Sequence, residues 1–370
     1  MGDKSAFVGG MKLKISELGK VITGNTPSKK IKEFWDKDDV GFVKPDIISD
    51  EHIVKIKSED CNEFISNAAI SKARIVPKNS IFVTCIGNIG KIGVATENLA
   101  FNQQINAIIP NENVNLDYLC YAIFANKTRL QDIANAPIVP LLNKSQFSEF
   151  ELEFDMDINT QTRIVHELNT VSNIILKYKQ ELLLLDELVR ARFVEMFGEI
   201  EDCDKWESKI WNEVVTIKNG RDYKKVLVSD GGYPVVGTGG EIARASKYLC
   251  PENTIVVGRK GSINNPMLMK EKFWNVDTAF GVIPNSDYLH YQYFYCFCKF
   301  YNFMKLNKAT TLPSTTKADL LKIRINIPPL ELQNQFASFV QEIDKSRSRI
   351  QKSLEASQEL FDSLMQEYFG

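Results

Sequence analysis

The residues from which a metal centre or a thiol nucleophile could be built are seven cysteines (Cys61, Cys85, Cys120, Cys203, Cys250, Cys296, Cys298) and three histidines (His52, His166, His290). The cysteines are odd in number, form no C-x-x-C pair and lie mostly in apolar strings such as IFVTCIG and YFYCFCKF, the pattern of reduced thiols in a cytoplasmic protein. No spacing joins them to the histidines as zinc ligands, so no structural metal is expected. The run Gly87-Asn88-Ile89-Gly90-Lys91-Ile92-Gly93 has the glycines of a phosphate-cradling loop. It lacks the four-residue gap and the Ser or Thr after lysine that would seat a nucleotide and its magnesium, and reads instead as a turn between strands. Asn264-Asn265-Pro266-Met267 shares only two letters with an Asn-Pro-Pro-aromatic methyl-transfer loop, and no glycine-rich methyl-donor loop follows a strand. Pro45-Asp46 followed by ISDEHIVKIK does not supply the acidic-x-Lys spacing of a nuclease. No catalytic residue and no cofactor site emerges from this search.

Recognition chemistry remains. Asn25, Thr26, Asn88, Gln103 and Gln104 in the first half, and Arg221, Thr238, Arg259, Asn264 and Asn265 in the second, lie in loop-like stretches. Their side chains offer forked donors and acceptors that match base edges, Arg to guanine and Asn or Gln to adenine. Lys29, Lys30, Lys44, Lys91, Lys224 and Lys260 are interleaved with them as candidate phosphate contacts, with Tyr223 beside Lys224, and Lys32 and Lys225 extend two of the clusters. Each residue taken singly reads more readily as turn chemistry or a satisfied buried amide, and it is the set, duplicated in two domains, that points to recognition. The net charge of -2 excludes a protein that coats nucleic acid through bulk charge, so any DNA affinity must be local.

The elements that must position these loops come in two copies. LVRARFVEMFG (188–198) lies 172 residues before LFDSLMQEYFG (360–370), and at the same offset Gln161 falls on Gln333. With one or two residues of slippage, Pro140 and Lys144 fall on Pro313 and Lys317, and Asn79-Ser80-Ile81 on Asn253-Thr254-Ile255. Each copy opens with a globular stretch of short strands and glycine turns and ends in a helical one. Strands are expected at ARIVP, SIFVTCIG, KIGVAT, INAIIP, YPVVGTGG, TIVVGRKG and TAFGVIP, and the globular helices at 116–133 and 288–306.

The helical stretches carry apolar seams stepping by 4 and 3. The first reads Ile164, Leu168, Val171, Ile175, Tyr178, Leu182, Leu185, Val189 and Met196, with Arg192 as the polar break. The second reads Phe336, Val340, Ile343, Arg347, Ile350, Leu354, Ser357, Phe361, Leu364 and Tyr368, in the same phase. A helix from Thr160 to Phe197 would be about 57 Å long, and the link to Trp206 is too short to run back along it. The expectation is an α+β chain in which two mixed α/β domains are separated by two long antiparallel coiled-coil helices in a pseudo-twofold repeat. Boundaries fall at 1–11 (a leader or tag), 12–155 (first domain), 156–199 (central helix), 200–327 (second domain) and 328–370 (C-terminal helix). With 44% hydrophobic residues the chain is long enough to bury two cores, and it holds no run of about eighteen apolar residues that would span a membrane.

Strings across 12–370 resemble the specificity subunits of type I restriction-modification systems. IPPLELQNQF (327–336) resembles that family's Pro-Pro-Leu-x-x-Gln helix start, preceded by LPSTTKADLLKIRINIP. VPKNSIFVTCIGNIGKIGVA with FNQQINAI resembles one recognition-domain pattern, and YPVVGTGG, TIVVGRKGSINNP and FWNVDTAF another. Asp157-Ile-Asn-Thr-Gln161 keeps the glutamine of the helix start but lacks both prolines. The resemblance implies a non-catalytic, cytoplasmic subunit that binds double-stranded DNA, two methyltransferase subunits and, through them, restriction subunits. Each recognition domain would read one half of an asymmetric bipartite target, with S-adenosyl methionine and ATP held by the partners. Two other readings stay open: a specificity protein of a type IIB or other modification system, and a coiled-coil scaffold without sequence-specific DNA binding.

Overall fold

A computed structural model describes residues 10–134, 140–200, 205–307 and 313–370. The chain divides into two compact units, unit 1 running to Leu176 and taking in Leu354–Gly370, and unit 2 comprising Lys177–Ser353. The expected leader lies largely outside the described residues, and Met11 already opens strand β1 (Met11–Lys14), paired with β11 (Glu151–Phe154).

Unit 1 is built on a five-stranded sheet in the order β2 (Gly19–Thr23), β10 (Ile105–Pro110), β7 (Ile81–Thr84), β8 (Ile92–Ala95), β4 (Val54–Ile56). Strand β7 is buried on both faces, and its side chains alternate as the two-residue period of a strand requires. Ile81 and Val83 pack with Tyr118 and Leu168 on the helical side, whereas Phe82 faces Phe101 and Ala107. On that second side lies a smaller sheet, β5 (Phe64–Ile65), β3 (Val40–Val43), β9 (Leu99–Phe101), β6 (Ile75–Val76). The helical layer comprises α1 (Ile15–Leu18), α2 (Leu116–Ala125), α3 (Lys127–Ile133), α4 (Lys144–Ser148) and the first part of α5 (Ile158–Phe197). The single helix expected over 116–133 is broken at Asn126, whose amide donates to the Ala122 carbonyl at 2.9 Å and so competes with continuation of the helix.

Unit 2 repeats this order. After β12 (Ser208–Ile210) and α6 (Trp211–Val214) comes a four-stranded sheet, β13 (Val215–Asn219), β20 (Ala279–Pro284), β17 (Thr254–Gly258), β18 (Met267–Met269). Ile255 and Val257 of β17 face the helical core and Val256 faces the other side, as in β7. The second sheet runs β14 (Leu227–Val228), β16 (Gly240–Ala245), β15 (Tyr233–Gly237), β19 (Trp274–Asn275). Helices α7 (Tyr291–Phe300) and α8 (Lys317–Leu320), strand β21 (Arg324–Asn326) and α9 (Leu330–Phe369) complete the chain. The helix expected over 288–306 is confined to α7, capped by His290, and a single 3-10 turn at Phe303–Leu306 capped by Asn302.

Both long helices are 40 residues, well beyond what packing on one small domain requires. In unit 2 they run antiparallel: Asp186 meets Arg347 at 3.0 Å, and further along Phe193 meets Phe336, ring centres 5.6 Å apart. The polar seam residue Arg347 is thereby matched by an acid. In unit 1, Tyr368 near the end of α9 donates to Glu167 at 2.5 Å and lies under Arg163. Ile164, Leu168, Val171, Ile175, Val189, Phe336, Val340 and Phe361 are buried, and Leu182, Leu185, Ile343, Ile350, Leu354 and Leu364 are half-buried. The last turns of α5 depart from the expected seam. Phe193 and Phe197, rather than Arg192 and Met196, are the buried residues after Val189. Four-residue steps replace the heptad because an α-helix of 3.6 residues per turn drifts from a 3.5 repeat, and this end packs on Tyr293 and Phe336.

The start of α5 lacks the two prolines that precede α9, and Asp157 takes over their task of ending the preceding extended chain. Its carboxylate accepts from the Thr160 N–H at 3.1 Å and the Thr160 hydroxyl at 2.7 Å, bonds that hold its pKa below the ordinary range.

Candidate nucleic-acid interface

Strand direction decides where the candidate recognition residues go. In unit 1, β2 and β7 both pair antiparallel with β10, and β7 with β8. The ends of β2 and β7 and the beginnings of β8 and β10 therefore share one edge. The second sheet adds the end of β3, parallel to β9. Asn25 and Thr26 follow β2, Lys44 follows β3, Asn88 and Lys91 lie between β7 and β8, and Gln103 and Gln104 precede β10. Sequence separations of up to 79 residues collapse onto this edge.

Unit 2 places its candidates on the matching edge. Arg221 follows β13, Arg259 and Lys260 follow β17, Asn264 and Asn265 precede β18, and Thr238 follows β15, which runs parallel to β19. Tyr223, Lys224 and Lys225 sit between Arg221 and β14. Three backbone hydrogen bonds recur in the two loops. The Gly87 N–H donates to Pro140 at 3.1 Å and the Gly261 N–H to Pro313 at 2.9 Å. The Cys85 N–H donates to Gln104 and accepts at its carbonyl from Leu142, and Arg259 does the same with Thr278 and Thr315. Gly87 and Gly261 both have positive φ, 75° and 80°, and buried Ile89 and Ile263 anchor the two tips. One backbone frame thus presents different side chains: Ile86 and Asn88 in unit 1, Lys260 and Ser262 in unit 2.

Several candidates are occupied within this frame. The Asn25 amide donates to the Lys72 carbonyl at 2.7 Å and accepts from the Arg74 N–H at 2.6 Å. Asn264 accepts from the Phe303 N–H at 2.8 Å, and Gln104 accepts from Asn102 at 2.8 Å. Thr26 donates to exposed Gln103 at 2.7 Å. Lys29 and Lys44 both contact the carboxylate of Glu63, whose partial burial pushes its pKa up but is outweighed by the two ammonium groups, so that it lies below the usual range. Asp50 is held low by hydrogen bonds from Lys127 and Asn88, and Lys91 reaches the Pro45 carbonyl at 3.3 Å. Lys30, Arg221, Lys224, Arg259, Lys260 and Asn265 are exposed, Tyr223 and Thr238 half-exposed. Glu63 and Asp50, central to this edge, had no signal in the sequence: each meets its lysines only through tertiary structure.

Cys61, Cys85, Cys120, Cys250, Cys296 and Cys298 are free and buried. Burial pushes the thiols of Cys61, Cys85 and Cys296 up to about 12, leaving them protonated and poor nucleophiles. Cys203 lies outside the described residues. Among the described residues no group of three or more His, Cys, Asp or Glu is placed to hold a metal ion, and no helix is long and apolar enough to cross a membrane.

Comparison with known proteins agrees with this layout. The type I restriction modification DNA specificity domain matches twice, over residues 9–184 and 203–358. The chain is 24% identical over 400 residues to the type I restriction enzyme MjaIX specificity subunit of Methanocaldococcus jannaschii, covering 95% of this chain and 90% of that one. It is 34% identical over 142 residues to the HindI specificity subunit of Haemophilus influenzae, covering 37% and 30%. Among solved structures, the S subunit of a type I restriction-modification system from M. genitalium matches with a TM-score of 0.64 at 16% identity, over 100% of this chain and 99% of that one. A chain from a study of complex assembly and conformational transition in the type I R-M system matches with a TM-score of 0.55 at 14% identity, over 99% of both.

Proposed function

This chain belongs to the type I restriction modification DNA specificity family, and on that premise we propose that it is the sequence-reading subunit of such a complex, with each unit's loop edge reading one half of a bipartite target. The observation that carries this reading is the matched edge itself: one backbone frame, present twice, displays unlike side chains at equivalent positions, as a reader of two unlike half-sites requires. Base reading is assigned to Gln103 with Thr26 in unit 1, and to Arg221, Thr238, Arg259 and Asn265 in unit 2, side chains that are exposed or half-exposed and keep donors or acceptors beyond those the frame uses. Asn25, Gln104 and Asn264 are assigned to holding the loops. Lys30, Lys224, Lys225 and Lys260 are assigned to phosphates.

The two long helices are assigned two further tasks, docking methyltransferase subunits and fixing the length of unread DNA between the half-sites. The reaction chemistry, and with it S-adenosyl methionine and ATP, falls to partner subunits. Two results test this division. The purified chain alone should neither methylate nor cut DNA. Combined with its methyltransferase it should direct adenine methylation to a two-part sequence, and methylation by the isolated chain would overturn the reading.

A further inference from the structure

The two edges differ in how their cations are held. In unit 1, Glu63 takes Lys29 at 3.0 Å and also Lys44, while Lys29 lies 5.1 Å over the Trp35 ring. Asp50 takes Lys127 and Asn88, and Lys91 is turned to a carbonyl, leaving Lys30 and Lys32 as the exposed candidates outside any salt bridge among the described residues. In unit 2, Lys224, Lys225, Arg259 and Lys260 are exposed, and among the described residues none of them is in a salt bridge. Arg259 donates to the Asp277 carbonyl and lies over Phe280. The sequence carries the same asymmetry. Residues 12–155 hold 17 Lys and Arg against 19 Asp and Glu, and residues 200–327 hold 18 against 13.

We propose that the two recognition domains divide DNA binding unequally: unit 2 supplies most of the sequence-independent phosphate affinity, and in unit 1 Glu63 and Asp50 restrain the cations so that this domain contributes discrimination. This rests on the reading that both loop edges face DNA. For Lys29 or Lys44 to reach a phosphate it must leave Glu63, and the released carboxylate then stands near the negative backbone. An exposed ion pair is weak singly, but here two lysines share one half-buried carboxylate and a third cation is held by Asp50. Only a duplex whose bases also satisfy the loop offsets that cost. Glu63 and Asp50 are thus specificity-determining residues that need not touch a base.

The test uses the full chain with two probes, a random-sequence duplex and a duplex carrying the target mapped from methylation by the assembled complex. E63Q and D50N should tighten binding to the random duplex, E63Q by about three- to tenfold at low salt. E63Q should also steepen the plot of log K against log salt by about one to two units, each phosphate contact contributing about 0.9. The ratio of target to random affinity should fall. K29Q/K44Q should weaken target binding and leave the random-duplex slope unchanged, whereas K224Q/K225Q/K260Q should flatten that slope by about three units. Parent-like unfolding midpoints establish that each variant is folded. If E63Q and D50N leave random-duplex binding unchanged or weaker while K29Q/K44Q flattens its slope, the restraint does not exist, although the edge still faces DNA. If neither unit's variants alter binding to either duplex, the assignment of these edges to DNA fails, and the division of labour with it.

Discussion

The side-chain oxygen of Gln333 accepts the backbone N–H of His290 at 2.8 Å, and its amide nitrogen donates to the carbonyls of Tyr288 and Pro328 at 2.9 and 2.8 Å. Gln161 does the same in unit 1, accepting from the Asn115 N–H at 2.8 Å and donating to the Asp155 carbonyl at 2.6 Å. Both side chains are fully buried. Each glutamine therefore ties the start of a long helix to the cap of the helix packed beside it. Gln333→Ala strands a buried N–H and two carbonyls, and should cost unit 2 about 2–4 kcal/mol. Gln161→Ala should do the same to unit 1. Amide exchange resolved by unit checks both, and equal loosening of both units by either variant would contradict independent clamps.

A pH dependence follows from the same corner. Burial lowers the His290 pKa from the ordinary 6.5, and its Nδ1 accepts from the Gln292 N–H at 3.1 Å as the cap of α7. The unfolded chain takes up a proton near 6.5 and the folded chain only at lower pH. The contribution of His290 is therefore complete above that value and falls as pH drops from about 6.5 toward the folded pKa. Asn115 caps α2 at the matched position, accepting from the Tyr118 N–H at 3.1 Å without titrating. His290→Asn should keep the cap and reduce the loss of unit 2 stability between pH 7 and 5.5. An unchanged slope in urea unfolding across that range would assign the dependence elsewhere.

Four glycines separate two kinds of constraint. A Cβ at Gly24 would lie 2.1 Å from the Asn102 carbonyl oxygen, and one at Gly220 1.8 Å from that of Val276. Alanine at either position must push a recognition loop off its strand end, at a cost of about 2 kcal/mol or more. Gly87 and Gly261 have open space around them and are constrained only by positive φ, so alanine there should cost about 1–2 kcal/mol. Urea unfolding should rank the first pair above the second, and the reverse order would mean that the loop tips are packed in solution.

Arg259 follows β17 with its guanidinium exposed. If it reads guanine, Arg259→Ala should relax choice at one base pair of one half-site, at a cost of about 1–3 kcal/mol. Methylation mapping of the variant complex checks this, and uniform weakening across all sequences would make Arg259 a phosphate contact.

Much of this architecture can be read directly from residue patterns. Strings such as SIFVTCIG and TIVVGRKG carry uninterrupted apolar runs bounded by glycine, and they form the central strands. The offset that puts Gln161 on Gln333 marks a shared function for the two amides because only a matched burial site keeps a glutamine at that point of an otherwise amphipathic helix. Local signals fail where the partner is distant. Asn25 reads as a base-reading amide until the chain brings Lys72 and Arg74 to it. Glu63 lies 34 residues from Lys29 and 19 from Lys44, a pairing that no periodicity encodes. The heptad does not mark Phe193 and Phe197, because they follow Val189 in four-residue steps and fill a core made jointly by Tyr293 of α7 and Phe336 of α9.

The central claim is that two independent readers share one chain, and it is tested most directly by exchanging one of them. Residues 12–155 are replaced by the corresponding stretch of another member of the family, the chimera is co-expressed with the methyltransferase, and methylated sites are mapped across the genome. The expected map keeps the half-site read by unit 2 and replaces the other. A folded, active chimera in which both half-sites change, or neither does, would contradict the account.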